Sequence, residues 1–126
     1  MINRIKTKNA PKAIGVYSQG SIYENLVFTS GQIAINPISG NLVTDDFSKE
    51  VEQVLHNVNA VLVAGGSSLK KAAKLTVFLT DLSKFGELNK VFLSYFGDAT
   101  PPARSAVQVT ALPLGARVEI EAVGTL

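Results

Sequence analysis

An arginine that follows two prolines is the polar residue best suited to binding or catalysis. Residues 100–105 are Thr-Pro-Pro-Ala-Arg-Ser, and the prolines stiffen the approach to a strand that begins at Arg104. A guanidinium on such a rigid mount is suited to bind a carboxylate through two parallel hydrogen bonds, a geometry that lysine does not offer. The same residues are also consistent with an ordinary surface arginine that lies beside a turn and has no binding role. Arg104 is therefore a candidate carboxylate-binding residue.

The second candidate is a glutamate near the end of the chain. Glu119 lies between Val118 and Ile120, in a segment with the two-residue period of a strand. We expect this strand to form a closing hairpin with the strand of Arg104, turning near Pro113, so that Glu119 lies across from residues 105–108. The pair would then combine a carboxylate clamp with a proton carrier. An ordinary solvated carboxylate fits Glu119 equally well.

The residue types that the chain lacks exclude several kinds of chemistry. There is one histidine, His56, and no cysteine, which excludes a catalytic triad, a thiol nucleophile and a zinc site built from histidine and cysteine. We predict neither a metal nor a cofactor, and we place His56 on the polar flank of its helix without a role. The glycines and serines of residues 65–68 lack the lysine and the spacing of a phosphate loop, and they predict a helix end.

Length and charge favour one domain without a polyanionic partner. We expect the 126 residues to form a single domain, 1–126, because that length suffices for a hydrophobic core. The net charge is +2 and no dense basic patch is present, so we expect neither nucleic acid nor a membrane as a partner. No apolar run approaches the roughly 18 residues of a membrane span, and the start lacks the apolar segment of a secretory signal. We expect a cytoplasmic protein.

Two helices and several strands are predicted from hydrophobic spacing. The first helix covers residues 46–64, with Thr44 or Asp45 as its cap. The second covers about 83–96, with Asp81 or Ser83 as its cap, and it stops at Gly97. Strands are recognised by alternating apolar residues or by the turn residues that flank them. They are predicted at residues 17–22, 26–29, 32–35, 73–80, 104–110 and 117–123.

This order of elements predicts an α+β sheet with both helices on one face. The other face would expose Phe78 and Val123 to water. Because a large apolar patch open to water is unusual in a monomer, we expect the chain to associate with itself through that face.

The chain resembles the RidA family, also called the YjgF-like proteins, over nearly its whole length, from Asn9 to Glu121 and Ala122. The resemblance depends on five segments in a fixed order. They are AIGVYSQG at 13–20, FTSGQI at 28–33, TVFLTDL at 76–82, PARS at 102–105 and VEIEA at 118–122.

The resemblance implies a chorismate-mutase-like, ferredoxin-like α+β fold and a homotrimer whose sheets surround a central barrel. It also implies active sites in the clefts between subunits. The activity implied is hydrolytic deamination of 2-imino acids, such as 2-iminopropanoate and 2-iminobutanoate, to 2-oxo acids and ammonia. No cofactor belongs to that reaction.

By motif position, the resemblance makes Arg104 the carboxylate-binding residue and Glu119 the residue that activates water. It assigns the pocket to Tyr17, Ser30, Gly31, Phe85 and Asn89, and main-chain atoms of Ala106 to holding the water. Two positions depart from the common pattern, with Val16 in place of proline and Ala106 in place of cysteine. The alternative is a non-enzymatic regulator that binds small carboxylates. Glu119 distinguishes the two, because hydrolysis needs a proton carrier and anion binding does not.

Overall fold

The computed structural model describes all 126 residues as one six-stranded sheet with two α-helices. The strands are β1 (Asn3–Ile5), β2 (Gly20–Tyr23), β3 (Leu26–Thr29), β4 (Ala72–Leu79), β5 (Ala103–Gln108) and β6 (Val118–Thr125), and the helices are α1 (Phe47–Ala64) and α2 (Phe85–Phe96). The strand order is β1-β2-β3-β6-β4-β5, and only β4 and β5 are parallel. Neither helix combines the length and hydropathy of a membrane span.

An acidic side chain caps the start of α1 and of the short turn before α2, and a glycine follows the last residue of each helix. The side chain of Asp46 accepts a 2.8 Å hydrogen bond from the Lys49 N–H and caps α1, one residue after Asp45, the nearer of the two predicted caps. Asp81, one of the two predicted alternatives, caps the short 3₁₀ turn Leu82–Lys84 that leads into α2. Gly97, at φ +57°, ends α2 as predicted.

The two helices pack on one face of the sheet, which confirms the predicted α+β architecture. Alternate residues of the central strands β4 and β6 point toward the helices and are buried there. The sheet side of the core comprises Val27, Leu75, Val77, Leu79, Val118, Ile120 and Ala122, and the helix side includes Val51, Val54, Leu55, Val58, Val61, Leu62, Leu88 and Phe92. His56 lies on the exposed side of α1, as predicted.

The predicted closing hairpin is wrong. β4 lies between β5 and β6, so the strands of Arg104 and Glu119 are not neighbours. Glu119 pairs with Phe78 of β4, whereas Arg104 pairs with Leu75 of the same strand. An alternating pattern determines which face of a strand is buried but not which strand lies beside it. The apolar strand β4 therefore takes the interior position, and β5 is left at the sheet edge.

Two N-terminal predictions also need correction. Residues 32–35 form only isolated bridges, because the Asn57 side chain donates to the Ile33 and Ile35 carbonyls at 3.0 and 2.8 Å and holds them against α1. The strand predicted from residue 17 begins only at Gly20. Before it, the buried Gln19 side chain hydrogen-bonds to main-chain atoms of residues 7, 10 and 11, and these bonds replace a sheet ladder. The short strand β1 was not predicted.

A buried ion pair ties α1 to the start of β6. The Glu50 carboxylate accepts hydrogen bonds from Nε of Arg117 at 2.7 Å and from its main-chain N–H at 2.8 Å. Glu50 is almost completely buried, whereas the Arg117 side chain is partly exposed. This contact fixes Arg117, which immediately precedes β6 and lies two residues before Glu119.

The sheet face away from the helices carries the apolar side chains that the sequence analysis placed there. Phe78 and Val123 are half-buried on it, and Tyr23, Phe28 and Val107 on the same face are exposed. Self-association through this face stays a prediction.

Candidate active site

Arg104 lies on the helix-covered face of the sheet, at its β5 edge. Its Nη1 donates a 2.8 Å hydrogen bond to Oδ1 of Asn89 in α2. Its guanidinium carbon is 5.0 Å from the centre of the Phe85 ring and 5.1 Å from that of Phe92. The two rings and the amide fix the orientation of the guanidinium. We call these four residues the arginine cluster.

The guanidinium keeps unused binding capacity. The hydrogen bond to Asn89 is the only one that its side chain makes, and Arg104 takes part in neither of the ion pairs of the chain. Partial burial lowers the pKa of Arg104, although a guanidinium stays cationic at any physiological pH. A partly desolvated cation with free N–H groups attracts an anion more strongly than a solvated one does.

Glu119 lies on the opposite face, against the chain at Gly31. A Cβ atom at Gly31 would be 2.5 Å from Oε2 of Glu119, so any side chain there would displace that carboxyl group. Burial raises the pKa of Glu119, and the negative charge of Glu121 raises it further. Arg117 does not offset these effects, because Glu50 binds it. The carboxyl group therefore holds a proton more readily than a free glutamate does.

A cavity of about 60 Å³ adjoins Glu119, and Gly31, Tyr17, Pro11 and Pro113 are among the residues that line it. This volume is enough for one or two water molecules. Ser30, next to Gly31, donates a 2.6 Å hydrogen bond to the Ser18 carbonyl and so attaches the segment that bears Tyr17. We call Glu119, Gly31, Ser30 and Tyr17 the glutamate cluster.

The predicted site residues thus form two separate groups within one chain. Phe85 and Asn89 lie with Arg104, whereas Tyr17, Ser30 and Gly31 lie with Glu119. Ala106 of β5 lies beside Val77 of β4. It is two residues from Arg104 and on the same face of the sheet. The expectation that Arg104 and Glu119 meet through a hairpin of their own chain is wrong.

Phe92 belongs to the arginine cluster, although it was not among the site residues selected from the sequence. It lies three residues after Asn89 and seven after Phe85, which places all three on one helix face. This helical spacing could have identified Phe92 as a neighbour of Phe85 and Asn89 from the sequence alone. Gln19, which shapes the segment before Tyr17, had no comparable signal because its partners are main-chain atoms.

The fold and these clusters define a class: an α+β protein with an oriented, partly buried guanidinium on one sheet face and a protonatable carboxyl group on the other. Comparison with known proteins specifies it further. Residues 7–126 match the model of the family described as Endoribonuclease L-PSP. The chain is 43% identical over 119 residues to the 2-iminobutanoate/2-iminopropanoate deaminase of Rattus norvegicus, covering 94% of this chain and 86% of the relative.

Solved structures agree with this similarity. A Yersinia pestis protein of the conserved Rid family, YyfA, superposes with a TM-score of 0.96 at 44% identity, and the match covers 100% of both chains. Escherichia coli TdcF, crystallised with bound serine, superposes with a TM-score of 0.93 at 41% identity and 98% coverage of both. The chain therefore belongs to the Endoribonuclease L-PSP family, in which the RidA and YjgF proteins are found.

Proposed function

We propose that this protein hydrolyses 2-imino acids, including 2-iminopropanoate and 2-iminobutanoate, to 2-oxo acids and ammonia in the cytoplasm. The observation that carries the proposal is the oriented Arg104 guanidinium, which has free N–H groups and no carboxylate partner in its own chain. Relatives at 43% identity are named for this activity. The serine bound to TdcF shows that a relative binds a small molecule with a carboxylate.

In this proposal the substrate carboxylate pairs with Arg104, and the imine carbon is placed near the water beside Glu119. Glu119 takes a proton from the water as its oxygen attacks the carbon, and the electron pair of the C=N bond moves to nitrogen. Glu119 returns that proton to nitrogen, which gives an amino alcohol. Glu119 then carries the hydroxyl proton to the amino group, and ammonia leaves as the C=O bond forms. Such proton transfer contributes about 10²–10⁴-fold to a rate, and fixing the reactants adds to it.

The separation of the two clusters leads us to propose a site between subunits. One subunit supplies Arg104 and Asn89, and a neighbouring copy supplies Glu119, Gly31 and Tyr17. The apolar sheet face with Phe78 and Val123 supports association, since burying it removes hydrophobic area from water. A homotrimer with three such sites is the assembly that we propose.

Glu119 favours hydrolysis over a purely regulatory role. Its carboxyl group makes no hydrogen bond within the chain, and it sits where burial and Glu121 both disfavour its charge. A carboxylate in that position contributes nothing to anion binding, whereas a carboxyl group whose pKa is raised toward neutrality is suited to exchange protons. A ribonuclease activity is disfavoured, because the net charge of +2 offers little attraction to a phosphate backbone.

The direct test uses 2-iminobutanoate made from threonine by a dehydratase. Semicarbazide traps the imine that remains, and the absorbance of the semicarbazone reports its amount. Added protein is expected to lower the trapped fraction, and Arg104→Ala is expected to restore it. A trapped fraction that does not respond to the wild-type protein contradicts the proposed activity.

A further inference from the structure

A groove of about 450 Å³ extends from Arg104 along the second half of α2. Asn89 and Arg104 form its polar part. Its apolar walls come from one side of α2 and from the chain that connects α2 to β5, and they comprise Phe92, Leu93, Phe96, Ala99, Pro101 and Pro102. This volume is within the range of small-molecule sites.

The groove has a direction that matches an amphiphilic anion. Asn89, which binds the guanidinium, and Phe96 are seven residues apart on α2, or about 10 Å at the rise of an α-helix. Arg104 is the only charged residue in the lining. An anion held at Arg104 therefore has an uncharged, mostly apolar surface beside it over that length.

Leu93 is exposed in a way that the fold does not require. Its side chain is 71% exposed on the groove wall, whereas the next wall residues, Phe92 and Phe96, are buried. Leu93 contributes little to the core, so its apolar surface is available to a ligand. The cavity beside Glu119, at about 60 Å³, has room for water but not for a long side chain.

We propose that this groove binds the side chain of the substrate, and that it favours 2-imino acids with apolar side chains of three or more carbons. The proposal rests on the proposed function, since Arg104 holds the carboxylate in both. Charged side chains are disfavoured because no ionic partner lies along the walls. Leu93, with Phe96 and Pro102, determines specificity.

The first test needs no variant and no catalysis. Binding of the straight-chain 2-oxo acids from pyruvate to 2-oxohexanoate is measured by isothermal titration calorimetry on the wild-type protein. Each methylene that enters the groove is expected to tighten binding about fourfold. From 2-oxobutanoate to 2-oxohexanoate, a difference of two methylenes, the affinity then rises about fifteenfold. An affinity that stays flat or falls with chain length overturns the groove.

The second test places a charge on the groove wall. Leu93→Asp is expected to lower kcat/KM for the imine of leucine at least tenfold more than for the imine of alanine, whose methyl group does not reach the wall. Both imines are generated with an L-amino acid oxidase and followed with semicarbazide. Ile38→Asp, the same type of change at a loop residue that is 97% exposed, is the matched control. Equal losses for both imines overturn the assignment of Leu93.

Two further measurements separate the possible failures. Leu93→Ala adds no charge and is expected to weaken 2-oxohexanoate binding without affecting pyruvate, which keeps the test decisive if the acidic variant alters the assembly. If the wild-type protein hydrolyses no imine but binds longer 2-oxo acids more tightly, the groove stands and the proposed hydrolysis fails. If it hydrolyses short imines without any dependence on chain length in binding, the hydrolysis stands and the groove is overturned.

Discussion

Arg104 and Glu119 project from opposite faces of the same sheet. Arg104 lies beside Leu75 of β4, under α2, whereas Glu119 lies beside Phe78 of that strand, three residues further on and on the open face. No rotation of either side chain brings them to one molecule within a single chain. The chemistry proposed for the pair therefore depends on a second copy.

Mixed assemblies test that dependence directly. Arg104→Ala and Glu119→Gln are each expected to be inactive alone. When equal amounts are unfolded and refolded together, a site between subunits receives both intact side chains in about a quarter of cases. About a quarter of the wild-type rate is therefore expected. A mixture as inactive as its components would place both residues of each site on one chain.

The orientation of the guanidinium should matter as much as its charge. Arg104→Lys keeps the charge but loses the planar fork, and a lost charged hydrogen bond costs about 1.5–3 kcal/mol. We expect kcat/KM to fall about 10- to 100-fold. Asn89→Ala, which frees Nη1, should cost about tenfold. Steady-state kinetics with 2-iminobutanoate check both, and a lysine variant with wild-type kcat/KM would contradict bidentate binding.

Glu121 should set part of the pH profile through its charge. Its charge raises the pKa of Glu119, so removing that charge lowers this pKa. Glu119 accepts a proton from water, and activity is lost as pH falls through its pKa. Glu121→Gln is therefore expected to move the acid limb of kcat/KM to lower pH and to leave the plateau unchanged. An acid limb at the wild-type position would show that the two carboxyl groups do not interact.

Gly31 tests the close approach to Glu119. In Gly31→Ala the new methyl group would be 2.5 Å from Oε2, so the carboxyl group must move. We expect at least a tenfold loss of kcat with the assembly preserved. Gly86→Ala is the matched control, because its Cβ meets nothing within 4 Å. It should retain activity, with little change in stability, since Gly86 lies in the first turn of α2 and its Cβ would make no contact.

The Glu50–Arg117 pair should contribute to stability. Glu50→Gln leaves both Arg117 donors with a weaker acceptor in a buried place, and we expect the free energy of unfolding to fall by about 2 kcal/mol. Glu52→Gln alters an exposed acid on the same helix and should change it by less than about 0.5 kcal/mol. Urea denaturation at one protein concentration compares them, and equal effects would show that the buried pair does not stabilise the fold.

Local signals in the sequence determined much of the fold. Apolar residues at helical spacing located α1 and α2 within one or two residues, and glycines marked the ends of both helices. Alternation located β4, β5 and β6, and it placed Phe78 and Val123 on the face away from the helices. These signals are short-range, since helix periodicity and strand alternation depend on residues a few positions apart.

The candidate functional residues were also evident in the sequence, but their arrangement in space was not. A proline pair before Arg104 indicated special geometry there, and the family resemblance selected Ser30 and Gly31. That β4 separates β5 from β6, and that Arg104 and Glu119 consequently lie on opposite faces, was decided by tertiary structure alone. Strand order depends on which apolar surfaces pack together across the whole chain, and no spacing within a single strand encodes it.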